Sequence, residues 1–261
     1  MRASAEKLLA VAGNTFKECV RHRILNVLLI FAAAMIGGSF LIRELAPGAE
    51  DRALIDTGLA LTELFGFLTV VLSLFITSYE EFEMRNIWIT LTKPVSRRLF
   101  LAGKFLGICL TVTINTLLML LLLLALAGIN LTTVNLSFIA ASLGILLTLY
   151  VSVGFTMLFM VASTNLTTGT LFAVLFYLIG HLTQNLKAII SGQKTAEAVK
   201  FTATVFYYIL PDFAAFNFRE QLYLSAGSIH YPLLFKASAY GLLYALICLL
   251  IAGFAFSKKE L

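Results

Sequence analysis

Few side chains in this sequence are placed to do chemistry. Three histidines, His22, His181 and His230, could serve as metal ligands or general bases. They lie far apart along the chain and form no ligand cluster among themselves. Cys19, Cys109 and Cys248 are equally scattered, which gives neither a disulfide framework nor a metal spacing. The pair Gly103–Lys104 lacks the earlier glycine of a phosphate-binding loop and is followed by Phe105 instead of Ser or Thr. No paired carboxylates and no nucleophile beside a base stand out. The expectation is a chain with no catalytic residue, no metal and no cofactor of its own.

One carboxylate is unusual in its surroundings. Glu63 sits inside the apolar run Thr57–Tyr79. A charged side chain at the centre of a bilayer costs about 2.5–3.5 kcal/mol on insertion scales, so such residues face protein, water or the headgroups. Glu63 therefore reads either as a side chain near a helix end that reaches the headgroups or as part of a substrate path.

The elements that must hold these residues are set by composition. Of 261 residues, 60% are hydrophobic and 13% charged, against about 25% charged in soluble domains. The stretch Phe105–Leu186 contains 82 residues without Asp, Glu, Lys or Arg. A single span needs about 20 apolar residues, so this stretch holds several spans joined by short polar turns. The sequence predicts one all-α integral membrane domain over 1–261, with six transmembrane helices at about 24–42, 57–79, 99–127, 136–162, 169–183 and 236–256.

Residues 1–23 place Leu8, Ala12, Phe16, Cys19 and Val20 at helical spacing, as an interfacial helix would; a frayed terminus is the alternative. The first apolar block is too long for a cleaved signal peptide and reads as a retained span. Residues 184–235 form an outer region. Within it 201–218 is apolar but interrupted by Pro211 and Asp212, which suits an interfacial or re-entrant segment. If it spans, there are seven helices. The net charge of +5 reflects basic residues beside span ends, not a nucleic-acid stripe. With the N-terminus inside, twelve of the nineteen Lys and Arg residues fall on the inner side. The N-in, C-in orientation follows.

The strongest signal is the loop over 80–98. Glu80, Glu81 and Glu83 read as the first turn of a short helix, where the dipole favours negative charge. Met84, Ile87, Trp88 and Leu91 then recur at helical spacing and form an apolar face. Pro94 suits the first turn of the next helix, and Arg97, Arg98 and Lys104 mark the inner end of the third span. A solvated loop would explain the basic residues but not the periodic apolar face.

This loop resembles the signature of ABC-2 type permeases, the membrane subunits of ATP-binding-cassette exporters. The pattern E-x-E-x-R…P-x-S-R-x-x-F-x-x-G-K-x-x-G is matched by Glu81, Glu83, Arg85, Pro94, Ser96, Arg97, Phe100, Gly103, Lys104 and Gly107. Asn86 stands where a threonine is common. The branch most similar in appearance contains permeases named for multicopper-enzyme maturation. The resemblance implies a bacterial cytoplasmic (inner) membrane, a second permease copy or paralogue, and two copies of a separate ATPase subunit that holds ATP and Mg. It implies that Glu81, Glu83, Arg85, Ile87, Trp88, Pro94 and Arg97 couple to that ATPase. Membrane lipid is the surrounding partner, and nucleic acid is not expected. A membrane scaffold that anchors a cytoplasmic complex without transport is the rival reading.

Overall fold

A computed structural model describes residues 2–21, 26–45, 48–82, 96–128, 136–183, 190, 200, 202, 204, 207, 210–219 and 231–258. These residues form α1 (Arg2–Arg21), α2 (Asn26–Leu45), α3 (Glu50–Phe82), α4 (Arg97–Leu126), α5 (Leu136–Ala162), α6 (Leu166–His181), a 3₁₀ turn at Phe213–Phe216, and α7 (Tyr231–Lys258). No strand occurs among the described residues.

Four helices, α3, α4, α5 and α7, are long and apolar enough to cross a bilayer. A fifth crossing follows if α1 and α2, bent by 54° to one another, are taken together. These four correspond to the second, third, fourth and sixth expected spans. The fifth expected span is α6, whose 16 residues rise about 24 Å, short of the roughly 30 Å of hydrocarbon.

The helices run past the expected span limits at 42 and 57 into polar sequence. The polar stretch 43–56 is largely helical: α2 runs to Leu45 and α3 starts at Glu50. Glu50 and Asp51 occupy the first turn of α3, where their charge complements the dipole. Gly48, at φ +86°, makes the turn between them in a conformation that other side chains rarely adopt. At its other end α3 continues through Phe82. Glu80 and Glu81 thus close α3 instead of opening a new helix, since no Gly or Pro intervenes to stop propagation. Helix α4 begins at Arg97, capped by Ser96, whose Oγ accepts from the Leu99 amide at 3.4 Å. Pro94 lies outside the described residues. Beyond Pro211 and Asp212 there is only the 3₁₀ turn, so 210–218 does not continue a spanning helix.

Helix α5 is the hub. Its span is 72% buried, against 33% for α7, so α5 sits inside the bundle while α7 offers one face to its surroundings. It packs on α7, α3, α6 and α4. Several polar side chains of this interior bond locally, whereas Ser73 Oγ, Thr116 Oγ1 and Thr156 Oγ1 have no partner among the described residues. Thr62, Thr69 and Thr77 of α3 donate to the carbonyls of Gly58, Phe65 and Ser73 at 2.8–2.9 Å. Thr148 and Ser152 of α5 bond back one turn in the same way. Asn115 Nδ2 of α4 donates across the bundle to Thr69 Oγ1 at 2.6 Å.

Helix α1 packs along α4. A Cβ at Gly103 would lie 2.7 Å from the Val11 side chain, and one at Gly107 would lie 2.6 Å from the Ala12 carbonyl oxygen. These two glycines, four residues apart, let the helix backbones approach, as small residues do between membrane helices. The buried residues of α1 are the small Ala12, Thr15 and Cys19. The amphipathic lead is thus a helix seated on α4.

Candidate functional site

Two polar centres lie along α3, one near its C-terminal end and one near its middle. At the end nearest α1, Lys104 is buried and its Nζ donates to Ser78 Oγ at 3.2 Å. Fifteen residues earlier on α3, about 22 Å away at 1.5 Å per residue, stands Glu63.

Glu63 neither stays alone nor reaches outward: its side chain is 14% exposed, and a histidine and an arginine converge on it. His181, the last residue of α6, places Nε2 3.0 Å from Glu63 Oε1. Arg219, three residues past the 3₁₀ turn, donates from Nη2 to Glu63 Oε2. The same Nη2 lies 3.4 Å from the Leu59 carbonyl oxygen.

Each arm of the cluster has its own support. The His181 ring sits 4.5 Å from the Tyr177 ring and 5.0 Å from the Phe213 ring, and its Nδ1 is 3.1 Å from the Tyr177 carbonyl oxygen. Tyr177 in turn stacks on Phe67 of α3, with centroids 3.7 Å apart and planes at 6°. The turn that carries Arg219 is anchored at its start. Thr183 donates to Asp212 Oδ1 at 3.1 Å, and the Asp212 amide donates to the Tyr240 hydroxyl of α7 at 3.1 Å. Arg219 is held at its own amide, which donates to Asn217 Oδ1 at 3.2 Å.

The cluster borders a cavity of about 110 Å³, whose wall includes Ile145, Thr148, Phe213, Phe216 and Phe218. Among the described residues, the Thr148 hydroxyl is committed to the Gly144 carbonyl and His181 Nε2 is turned to Glu63. No group of three metal-ligating side chains occurs among the described residues.

Of the residues that sequence reasoning singled out, Glu63 lies at this site. Its partners were not foreseen: His181 reads as a packing residue, and Arg219 as one charge in the outer region. They are 118 and 156 residues from Glu63, and the only signal pointing to them was the need of a carboxylate in an apolar run for compensation. At the other end, Arg97 is the first residue of α4 and half-buried, and Glu81 closes α3. Glu83, Arg85, Ile87, Trp88 and Pro94 lie outside the described residues. Gly103, Lys104 and Gly107 have the packing roles given above.

The all-helical bundle with its long apolar helices is that of a multi-pass membrane protein. A scan against protein-family models finds no match for the chain, and a search of curated proteins finds none.

Proposed function

We propose that the chain is the membrane-spanning permease subunit of an ABC-2 type export system. In this reading it has six spans with both termini cytoplasmic, and it acts with a second permease copy or paralogue. Two separate ATPase subunits supply ATP hydrolysis with Mg, and their closure rocks the bundle between inward and outward states. The observation that carries the reading is the run from Glu81 to Gly107. Its last three members support the reading: Gly103 and Gly107 seat α1 on α4, and Lys104 ties α4 to Ser78 of α3. A push on the coupling segment would therefore reach three helices at once. The Glu63 cavity, near the middle of α3, is the candidate substrate path.

The deciding experiment is purification with and without a co-expressed ATPase subunit. The permease alone is expected to neither bind nor hydrolyse ATP, and hydrolysis is expected only in the complex, increased by transported substrate. Intrinsic hydrolysis by the isolated chain would overturn the proposal. A complex whose ATPase is never linked to substrate movement would favour the scaffold.

Orientation is tested separately. With Cys19, Cys109 and Cys248 replaced, an impermeant thiol reagent is expected to label a cysteine at Gly48 or Gln193 in intact cells, and not one at Asn86. Labelling at position 86 would remove the six-span, N-in arrangement.

A further inference from the structure

Charge in the Glu63 cluster does not cancel. Both carboxylate oxygens are engaged, Oε1 by His181 and Oε2 by Arg219. His181 faces an acceptor at each ring nitrogen, the Tyr177 carbonyl at 3.1 Å and the Glu63 carboxylate at 3.0 Å. A carbonyl and a carboxylate can only accept, so satisfying both bonds requires a proton on each nitrogen, which is the imidazolium form. One carboxylate then stands against two cations, leaving one positive charge in a site walled by phenylalanines.

Arg219 also has donors to spare. A guanidinium carries five N–H groups in a fixed fork. Only Nη2 is engaged, by Glu63 and Leu59, and no described residue partners Nε or Nη1. That leaves one N–H on Nε and two on Nη1 for charge-assisted bonds to an oxyanion. They belong to a side chain on the wall of the 110 Å³ cavity, beside Phe213, Phe216 and Phe218.

We propose that this cavity binds the phosphate headgroup of an anionic amphiphile, with Arg219 as the gripping residue. The surplus charge supplies attraction, the remaining guanidinium N–H groups supply hydrogen bonds, and the three phenylalanines cover the first apolar atoms behind the headgroup. Glu63 holds Arg219 in place and competes with the ligand for it. The inference extends the export reading by giving its substrate path a ligand class. Binding is measured on the permease without any ATPase, so the two ideas fail separately.

The test is calorimetry on the purified full chain in neutral detergent, with three probes: dihexanoyl phosphatidic acid, dihexanoyl phosphatidylcholine and inorganic phosphate. Saturable binding of phosphatidic acid is expected, at least about tenfold tighter than phosphatidylcholine, whose choline cation offsets the charge of its phosphate. Arg219→Gln is expected to weaken it by about tenfold or more, whereas Glu63→Gln should tighten it several-fold by releasing Nη2. A merely structural ion pair would not give these opposite signs. Competition by inorganic phosphate supports a site that also takes the free anion, and its failure to compete supports a lipid-borne phosphate. Equal affinity for the two lipids, or wild-type affinity in Arg219→Gln, overturns the proposal. Should Arg219→Gln not fold, Glu63→Gln decides alone: tighter binding supports the assignment, and unchanged or weaker binding overturns it.

Discussion

Gly144→Val is expected to unseat the turn that delivers Arg219 and so dismantle the Glu63 cluster from a distance. Gly144 lies in the first half of α5, directly under the 3₁₀ turn. A Cβ there would sit 2.2 Å from the Phe216 carbonyl oxygen and 2.9 Å from the Phe218 ring. The first contact is with backbone, and that backbone has little slack. Its amides at Ala215, Asn217 and Phe218 bond within the turn at 3.1–3.2 Å, and Phe213, Phe216 and Phe218 are all buried.

Forcing extra methyl groups into such a contact costs about 1–3 kcal/mol, and we expect the upper part of that range because the turn must move as a unit. Moving it draws Arg219 away from Glu63, leaving the carboxylate with His181 alone. Thermal unfolding in detergent should therefore shift downward, and binding of phosphatidic acid should fall with it. Gly37→Val is the matched control, since a Cβ at Gly37 meets nothing within 4 Å. It should stay within about 1 kcal/mol, the scale of helix propensity. Equal unfolding temperatures for the two variants would show that the turn accommodates the bulk and is no fixed platform.

How much of this was legible beforehand depends on the range of the interactions involved. Helix α5 was read at its observed limits, Leu136 and Ala162, because both flanks are polar turns and the apolar run between them is unbroken. The helix ends inside 43–56 are not marked by hydropathy, because their residues are polar. Beyond the hydrocarbon a helix tolerates charge, and Glu50 and Asp51 strengthen the first turn they occupy. The face of α1 that packs on α4 centres on Ala12, Thr15 and Cys19, whereas the apolar stripe predicted Leu8 and Phe16 as well. Close helix contact selects small side chains, which a hydropathy pattern weights least.

The candidate site shows the same division more sharply. Glu63 was visible because a carboxylate in an apolar run is costly wherever it sits. Its partners were not, because their approach depends on Gly144 admitting a turn from 72 residues downstream, from Gly144 to Phe216, and on Thr183 and Tyr240 holding Asp212. No local period encodes those contacts.

Trp88→Ala is expected to weaken association with the ATPase by roughly thirtyfold, the effect of losing a buried aromatic anchor worth about 2 kcal/mol or more at an interface. The expectation rests on the export proposal and on the helical spacing of Met84, Ile87 and Trp88 in the sequence. On a loop with no partner the same truncation would stay within about 0.5 kcal/mol, as exposed substitutions usually do. Insertion into the membrane and expression should be unchanged, because the residue lies outside the predicted spans. Arg85→Glu should act in the same direction if Arg85 meets an acidic surface on the ATPase, while Lys194→Ala, in the expected outer region, should leave association intact. Co-purification of the two subunits and ATP hydrolysis in reconstituted membranes are the measurements. They separate residues 80–98 from the seat of α1, since Gly103 and Gly107 act within the bundle and bear on its stability before any partner is added. Wild-type behaviour of both Trp88→Ala and Arg85→Glu in each assay would exclude this loop as the element that joins the bundle to its energy source.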